Sequence, residues 1–175
     1  MELGVRFDTV SPILKEQFAH AMDFWAGVLD MDWHPDNTSN CAIRVTEGPP
    51  ENFALDDIAQ ADSLEMDTFG GEVSFNPAAS MESSELYLIS IHEIGHLFGL
   101  EHNPSAMSVM YYLEIEGPQR LDETDIAALG VHHKLRDIRK TRYDLFLPSD
   151  LRAPFRPTSW RRTKARCFEL LQGES

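Results

Sequence analysis

Three histidines at positions 92, 96 and 102 constrain this chain more than any other feature. They lie in "HEIGHLFGLEH" (92–102), which has the pattern His-Glu-x-x-His-x-x-Gly-x-x-His. Residues four apart on a helix share a face one turn apart. His92 and His96 can therefore offer imidazole nitrogens to one metal ion. Glu93 is rotated from His92 by roughly 100° on ideal helix geometry. That places it beside the ion's open coordination position, where a general base next to an activated water belongs. A continuing helix would carry His102 about 15 Å along the axis from His92. A shared ion with bonds of ~2.1 Å would then be out of reach. The chain must bend between His96 and His102, and Gly99 can take positive φ there at little cost. At the chain's own frequencies of His, Glu and Gly, the five fixed positions arise by chance with a probability on the order of 10⁻⁴ or less.

The flanking pattern places this segment in a mixed fold. "GVRFD" (4–8) alternates in period 2 and predicts a strand. A helix follows, with Ser11 as N-cap and Pro12 at the first helical position. Leu14, Phe18, Met22, Trp25 and Leu29 form its apolar stripe, and His20 falls off that stripe as a solvated residue. "DWH" (32–34) and "CAIRVT" (41–46) predict short strands separated by the turn-rich "PDNTSN". The stretch 48–57 reads as a loop, "DIAQA" as a short edge strand, and "GGEVSF" (70–75) as a strand after a tight turn. "SSELYLISIHEIGHLFGL" predicts a long helix capped by Ser83 or Ser84 and ending at Gly99. "LDETDIAALG" predicts a last helix capped by Asp122, with acids in its first turn. His132 and His133 read as a solvated pair beyond it.

Composition narrows the classes further. A length of 175 residues suits one domain with an appendage. No window approaches the ~18 apolar residues of a membrane span. "MELGVRFD" has no apolar core and does not read as a signal peptide. Residues 1–130 hold 4 Lys/Arg against 24 Asp/Glu, while residues 131–175 hold 11 against 5. The acidic body argues against nucleic acid as a partner. The basic tail is diluted by Leu, Phe and Pro and forms no basic amphipathic stripe, so membrane attachment is not expected either. Docking of that tail against the acidic body is the simpler expectation. Cys41 and Cys167 resemble neither a metal knuckle nor a redox pair, and their pairing is left open.

"HEIGHLFGLEH" followed by "SVMYY" resembles the metzincin metalloproteases and, within them, the matrixins (peptidase family M10). The resemblance spans about residues 4–135 and is specific from 92 to 111. It implies an α+β catalytic domain over 1–135, with a mixed twisted sheet, a long first helix, an active-site helix ending at Gly99, a Met-turn and a C-terminal helix. Residues 136–175 are then a basic, Pro-containing extension. It further implies one catalytic zinc held by His92, His96 and His102, with Glu93 as general base. Met110 is the Met-turn residue, an apolar base beneath the ligands. Tyr111 and Tyr112 are pocket candidates in the stretch that shapes the S1′ site.

The departures from the family pattern carry their own expectations. Gln60 and Ser74 stand where two histidines of a structural zinc site would be, so no structural zinc is expected. Asn76 replaces an acid common in the calcium region, which weighs against bound calcium. No pro-segment with an inhibitory cysteine accompanies the motif, so latency by a cysteine switch is not expected. The resemblance implies a monomeric zinc endopeptidase acting on protein or peptide substrates outside the cell, with a cytoplasmic location as the alternative. The alternative function is a catalytically silent zinc-binding interaction module. A metal hydrolase with a non-peptide substrate is a further alternative.

Overall fold

The structure is a computed structural model and describes residues 1–38, 40–54, 57–63, 69–111 and 119–136. The tail 137–175, with Cys167, lies outside the described residues, as do Tyr112 and the rest of 112–118.

The chain runs β1 (Glu2–Asp8), α1 (Pro12–Val28), β2 (Asp32–Pro35), β3 (Ile43–Glu47), β4 (Ala59–Ser63), β5 (Gly71–Phe75), α2 (Ser83–Leu97) and α3 (Glu123–His132). A single 3-10 turn, Pro50–Asn52, interrupts the expected loop before β4. The five strands form one sheet in the order β2-β1-β3-β5-β4. The first four are mutually parallel, and β4 runs antiparallel to β5 at the edge. This is the mixed sheet of an α+β domain, and no described helix is long and apolar enough to cross a membrane.

The apolar stripe of α1 explains where that helix sits. Leu14, Phe18, Met22 and Trp25 are all buried. Ser11 makes no side-chain cap, so the start rests on the fixed φ of Pro12. The Ser11 amide instead donates to Glu47 Oε1 at 3.1 Å. Trp25 joins α1 to α2: its Nε1 donates to Ile91 O at 3.2 Å, and its ring meets Phe98 edge-on at 5.3 Å. His20 departs from expectation. It is half-buried, and its Nδ1 is shielded from water with no hydrogen-bond partner among the described residues.

The outward face of the sheet is polar across three strands. Arg6 and Arg44 both reach Asp8 at 2.7 Å, and Arg44 also reaches Glu72 at 3.3 Å. Thr46 Oγ1 and Ser74 Oγ hydrogen-bond at 3.0 Å. Gln60 and Ser74 are direct cross-strand partners. The inward residues Val5, Ile43, Val45, Ala59, Ala61, Val73 and Phe75 are buried, so the core lies between the sheet and the helices.

The chain closes onto the start of the molecule after α3. The Asp30 amide donates to Lys134 O and the Arg136 amide to Val28 O. The Arg136 guanidinium donates to the carbonyls of Ala26, Leu29 and Met31. Those carbonyls are at the C-terminus of α1 and just beyond, where a cation is favoured by the helix dipole.

Candidate metal centre

Helix α2 is the element that positions the site, and it is buried along most of its length. Its N-cap is Glu82, one residue earlier than expected, with Glu85 closing a capping box. The helix ends at Leu97, and Gly99 then takes φ 83°. A left-handed residue here costs little only for glycine. The chain reverses, and the Leu100 amide bonds back to Gly95 O at 3.0 Å.

The reversal brings His102 back towards His92 and His96. One ligand atom from each of the three lies within 4.8 Å of the others. A shared ion with bonds of ~2.1 Å allows separations up to about 4.2 Å, so any closure needed is under about an ångström. Among the described residues, this is the group of His, Cys, Asp and Glu side chains that could hold a metal ion.

The hydrogen bonds fix how the first two histidines are protonated. His92 Nδ1 bonds to Val109 O at 2.8 Å, and His96 Nδ1 bonds to Leu100 O at 2.7 Å. A carbonyl oxygen can only accept, so each Nδ1 carries the hydrogen. In the neutral ring, Nε2 then presents a lone pair. Burial favours that neutral state. It holds His92 well below the usual imidazole range, lowers His96 to about 4 and also lowers His102. The two Nε2 atoms are 3.1 Å apart. Two lone pairs at that distance repel, and no hydrogen stands between them. A cation between them relieves the repulsion, and tetrahedral zinc with bonds of ~2.1 Å sets its ligand nitrogens about 3.4 Å apart. The donor set therefore fits zinc.

Glu93 is 1 % exposed, and neither carboxylate oxygen has a hydrogen-bond partner among the described residues. Burial pushes its carboxyl up to about 8, and the negative charges of Asp57 and Asp62 add to that rise. A buried charge without a partner is costly, so burial holds this carboxyl in its protonated form up to about pH 8.

Met110 is fully buried, and its place depends on Gly95. A Cβ at Gly95 would stand 2.6 Å from Met110 Sδ and 3.3 Å from Trp25 Cζ2. The sulfur thus lies against the helix between His92 and His96. The turn that holds Met110 is closed by the Tyr111 amide on Ser108 O at 3.1 Å. Tyr111 itself is half-buried.

Three polar residues that the motif does not include secure this turn. Asn103, Ser108 and Asp125 are buried. Asp125 Oδ2 accepts from Ser108 Oγ at 2.6 Å, and Oδ1 accepts from Asn103 Nδ2 at 2.8 Å. Ser108 Oγ accepts from the Met110 amide at 2.9 Å, and the Asn103 amide donates to Met110 O at 2.9 Å. Asp125 thereby ties α3 to the residue after His102 and to the turn whose Val109 carbonyl orients His92. The capping pattern of "LDETD" points to Asp122 and Asp125 at the helix start, and both do cap it. Nothing in the sequence shows that Asp125 also reaches Asn103 and Ser108.

His133 corrects another expectation. His132 is exposed, but His133 is buried. Its Nε2 donates to Phe98 O at 2.8 Å, and its ring lies 4.2 Å from that of Phe69. It pins the residue that caps α2.

Together these features define an α+β domain with a three-histidine centre that could hold one metal ion at a helix end. The matrixin family model, peptidase family M10, matches residues 8–133, and the chain belongs to that family. No curated protein matches the chain.

Proposed function

We propose that this protein is a zinc-dependent endopeptidase of the matrixin type. His92, His96 and His102 are the zinc ligands, Glu93 is the general base, and Met110 is the Met-turn residue. The pair of Nε2 lone pairs facing each other at 3.1 Å, with an unpartnered buried Glu93 one residue along, carries this reading. Zinc, when bound, supplies Lewis acidity that lowers the pKa of a water towards ~7 and polarises a peptide carbonyl.

The chain's own residues supply the rest. The Val109 and Leu100 carbonyls keep His92 and His96 in the ligating tautomer. Glu93 takes the proton of the attacking water and delivers it to the leaving amine. A nearby cation favours the carboxylate form of Glu93, which opposes the effect of its burial. The outer edge of β4, unpaired among the described residues, accepts an extended substrate by strand addition. Tyr111 contributes to the S1′ wall, and the same role expected of Tyr112 falls outside the described residues. The family's usual extracellular setting and a monomeric state are part of this reading.

The test is a quenched-peptide library assayed with and without chelator, with metal analysis of the same sample. Expected are chelator-sensitive cleavage and one zinc per chain, with neither structural zinc nor calcium. Bound zinc with no cleavage of any peptide favours the silent interaction module. Two zincs per chain would contradict the reading of Gln60 and Ser74.

A further inference from the structure

The reversal that carries His102 back to the other two histidines turns on a single peptide unit. The Phe98–Gly99 peptide lies between Phe98 ψ 12° and Gly99 φ 83°. Glycine takes positive and negative φ with nearly equal ease. The residue that permits the turn therefore does not select it. Turning this peptide over would redirect Leu100, whose carbonyl holds His96 Nδ1, and with it His102.

Hydrogen bonds hold the peptide at both ends. Its amide, the Gly99 N–H, donates to His96 O at 3.0 Å in the last turn of α2. Its carbonyl, Phe98 O, accepts from His133 Nε2 at 2.8 Å. A carbonyl oxygen only accepts, so Nε2 carries the hydrogen. Phe98 O is one of the last carbonyls of α2, which find no partner within their own helix. The donor comes from 35 residues along the chain.

His133 is itself fixed. It is buried, and its ring lies 4.2 Å from that of Phe69 and 6.1 Å from that of Phe98. Its amide donates to Leu129 O at the end of α3. The residues that follow are clamped to the end of α1 through the Lys134 carbonyl and Arg136. A donor held in this way can impose the orientation of the peptide it meets.

We propose that His133 is a positioning residue of the metal centre. By holding Phe98 O it selects the left-handed turn at Gly99, and so places His102 and the Leu100 carbonyl. This rests on the reading of the three histidines as a zinc site. It adds a residue that lies outside the ligand motif and touches none of the ligands' ring nitrogens.

The test compares zinc affinity, by chelator competition, in full-length wild type, His133→Phe and His133→Gln. Phenylalanine keeps a ring against Phe69 and removes the donor. Glutamine keeps an N–H at a reach similar to that of Nε2. Affinity should fall about tenfold or more in His133→Phe and stay within about threefold in His133→Gln, as when the support behind metal ligands is removed or kept. Val5→Ala opens a cavity at a buried position in β1 and lowers the melting temperature. Its zinc affinity should also stay within about threefold, because the two sites are independent. A second readout needs no metal. The Leu100 amide bonds to Gly95 O, and its hydrogen exchange in metal-free His133→Phe should be about tenfold or more faster than in metal-free wild type, with glutamine restoring it. If His133→Phe does not fold, His133→Asn replaces it, since its side chain is shorter than that of glutamine and its N–H falls short of Phe98 O. Unchanged affinity or unchanged exchange in the variant lacking the donor would overturn the proposal. So would equal losses in His133→Gln, or an equal affinity loss in Val5→Ala. If the wild type binds no zinc, the peptidase reading fails, and Leu100 exchange alone decides whether His133 holds the turn.

Discussion

Glu93 and Gly95 show how single residues set the properties of this site. For Glu93 the sign follows from its raised pKa. The unfolded carboxyl titrates near 4.5 and the folded one near 8. The folded, metal-free state therefore holds the proton more tightly, and its stability falls as pH rises from 4.5 through 8. Metal-free Glu93→Gln has no such loss. Thermal melts should show the variant more stable than the metal-free wild type at pH 8.5, with the difference narrowing towards pH 4.5. A constant difference across that range would contradict the assigned burial. Gly95→Ala drives a methyl into Met110 Sδ and should cost about 1–3 kcal/mol, read as a lower melting temperature. The histidine motif was legible in the sequence because metal geometry demands fixed residue types at fixed spacings. Asn103, Ser108 and His133 were not, since their partners are distant in sequence and a polar residue alone does not show whether it is buried. His20 and His133 both looked solvated for that reason.

At the scale of elements, α2 brings His92 and His96 to the centre and two neighbours hold its end. The turn at Met110 orients His92 through Val109, and α3 holds that turn through Asp125. Asp125 receives hydrogen bonds from Asn103, Ser108 and the Asp122 amide. Asp125→Asn replaces one accepting oxygen with a donor, which leaves at least one of these buried donors unmatched. It should cost about 1–3 kcal/mol of stability. Because the site is held through this network, zinc affinity should also fall by about 10–100-fold, measured by chelator competition. Stability lost with zinc affinity unchanged would show that the turn holds itself. Helix α1 was legible because one apolar stripe recurs at helical spacing and Pro12 marks the start. The cap of α2 was displaced to Glu82 because a Glu–Glu capping box satisfies the first amides as well as a serine does. Strand β3 begins at Ile43 rather than Cys41, where the partners in β1 and β5 begin to pair with it. Cys41 is half-buried and forms no disulfide among the described residues.

Over the whole molecule, the sheet separates two environments. Its inner face packs on the helices that build the centre, and its outer face carries a polar ladder. Gln60 and Ser74 lie opposite each other in that ladder, with Ser74 already bonded to Thr46 and Glu72. The expected strands appear in the structure, but their order does not follow from the sequence, because parallel pairing of β1, β3 and β5 is decided by long-range packing. Arg136 ends the described body by holding the end of α1, and the docking expected of the basic tail falls on residues outside it. The centre joins these parts, so its chemistry tests the whole account. The most direct measurement compares kcat/KM of wild type and Glu93→Ala on one cleaved peptide at matched zinc content. The expected result is one zinc per chain in both proteins and a loss of about 10²–10⁴-fold in the variant, the range of general acid–base catalysis. Cleavage by Glu93→Ala at the wild-type rate would contradict the account.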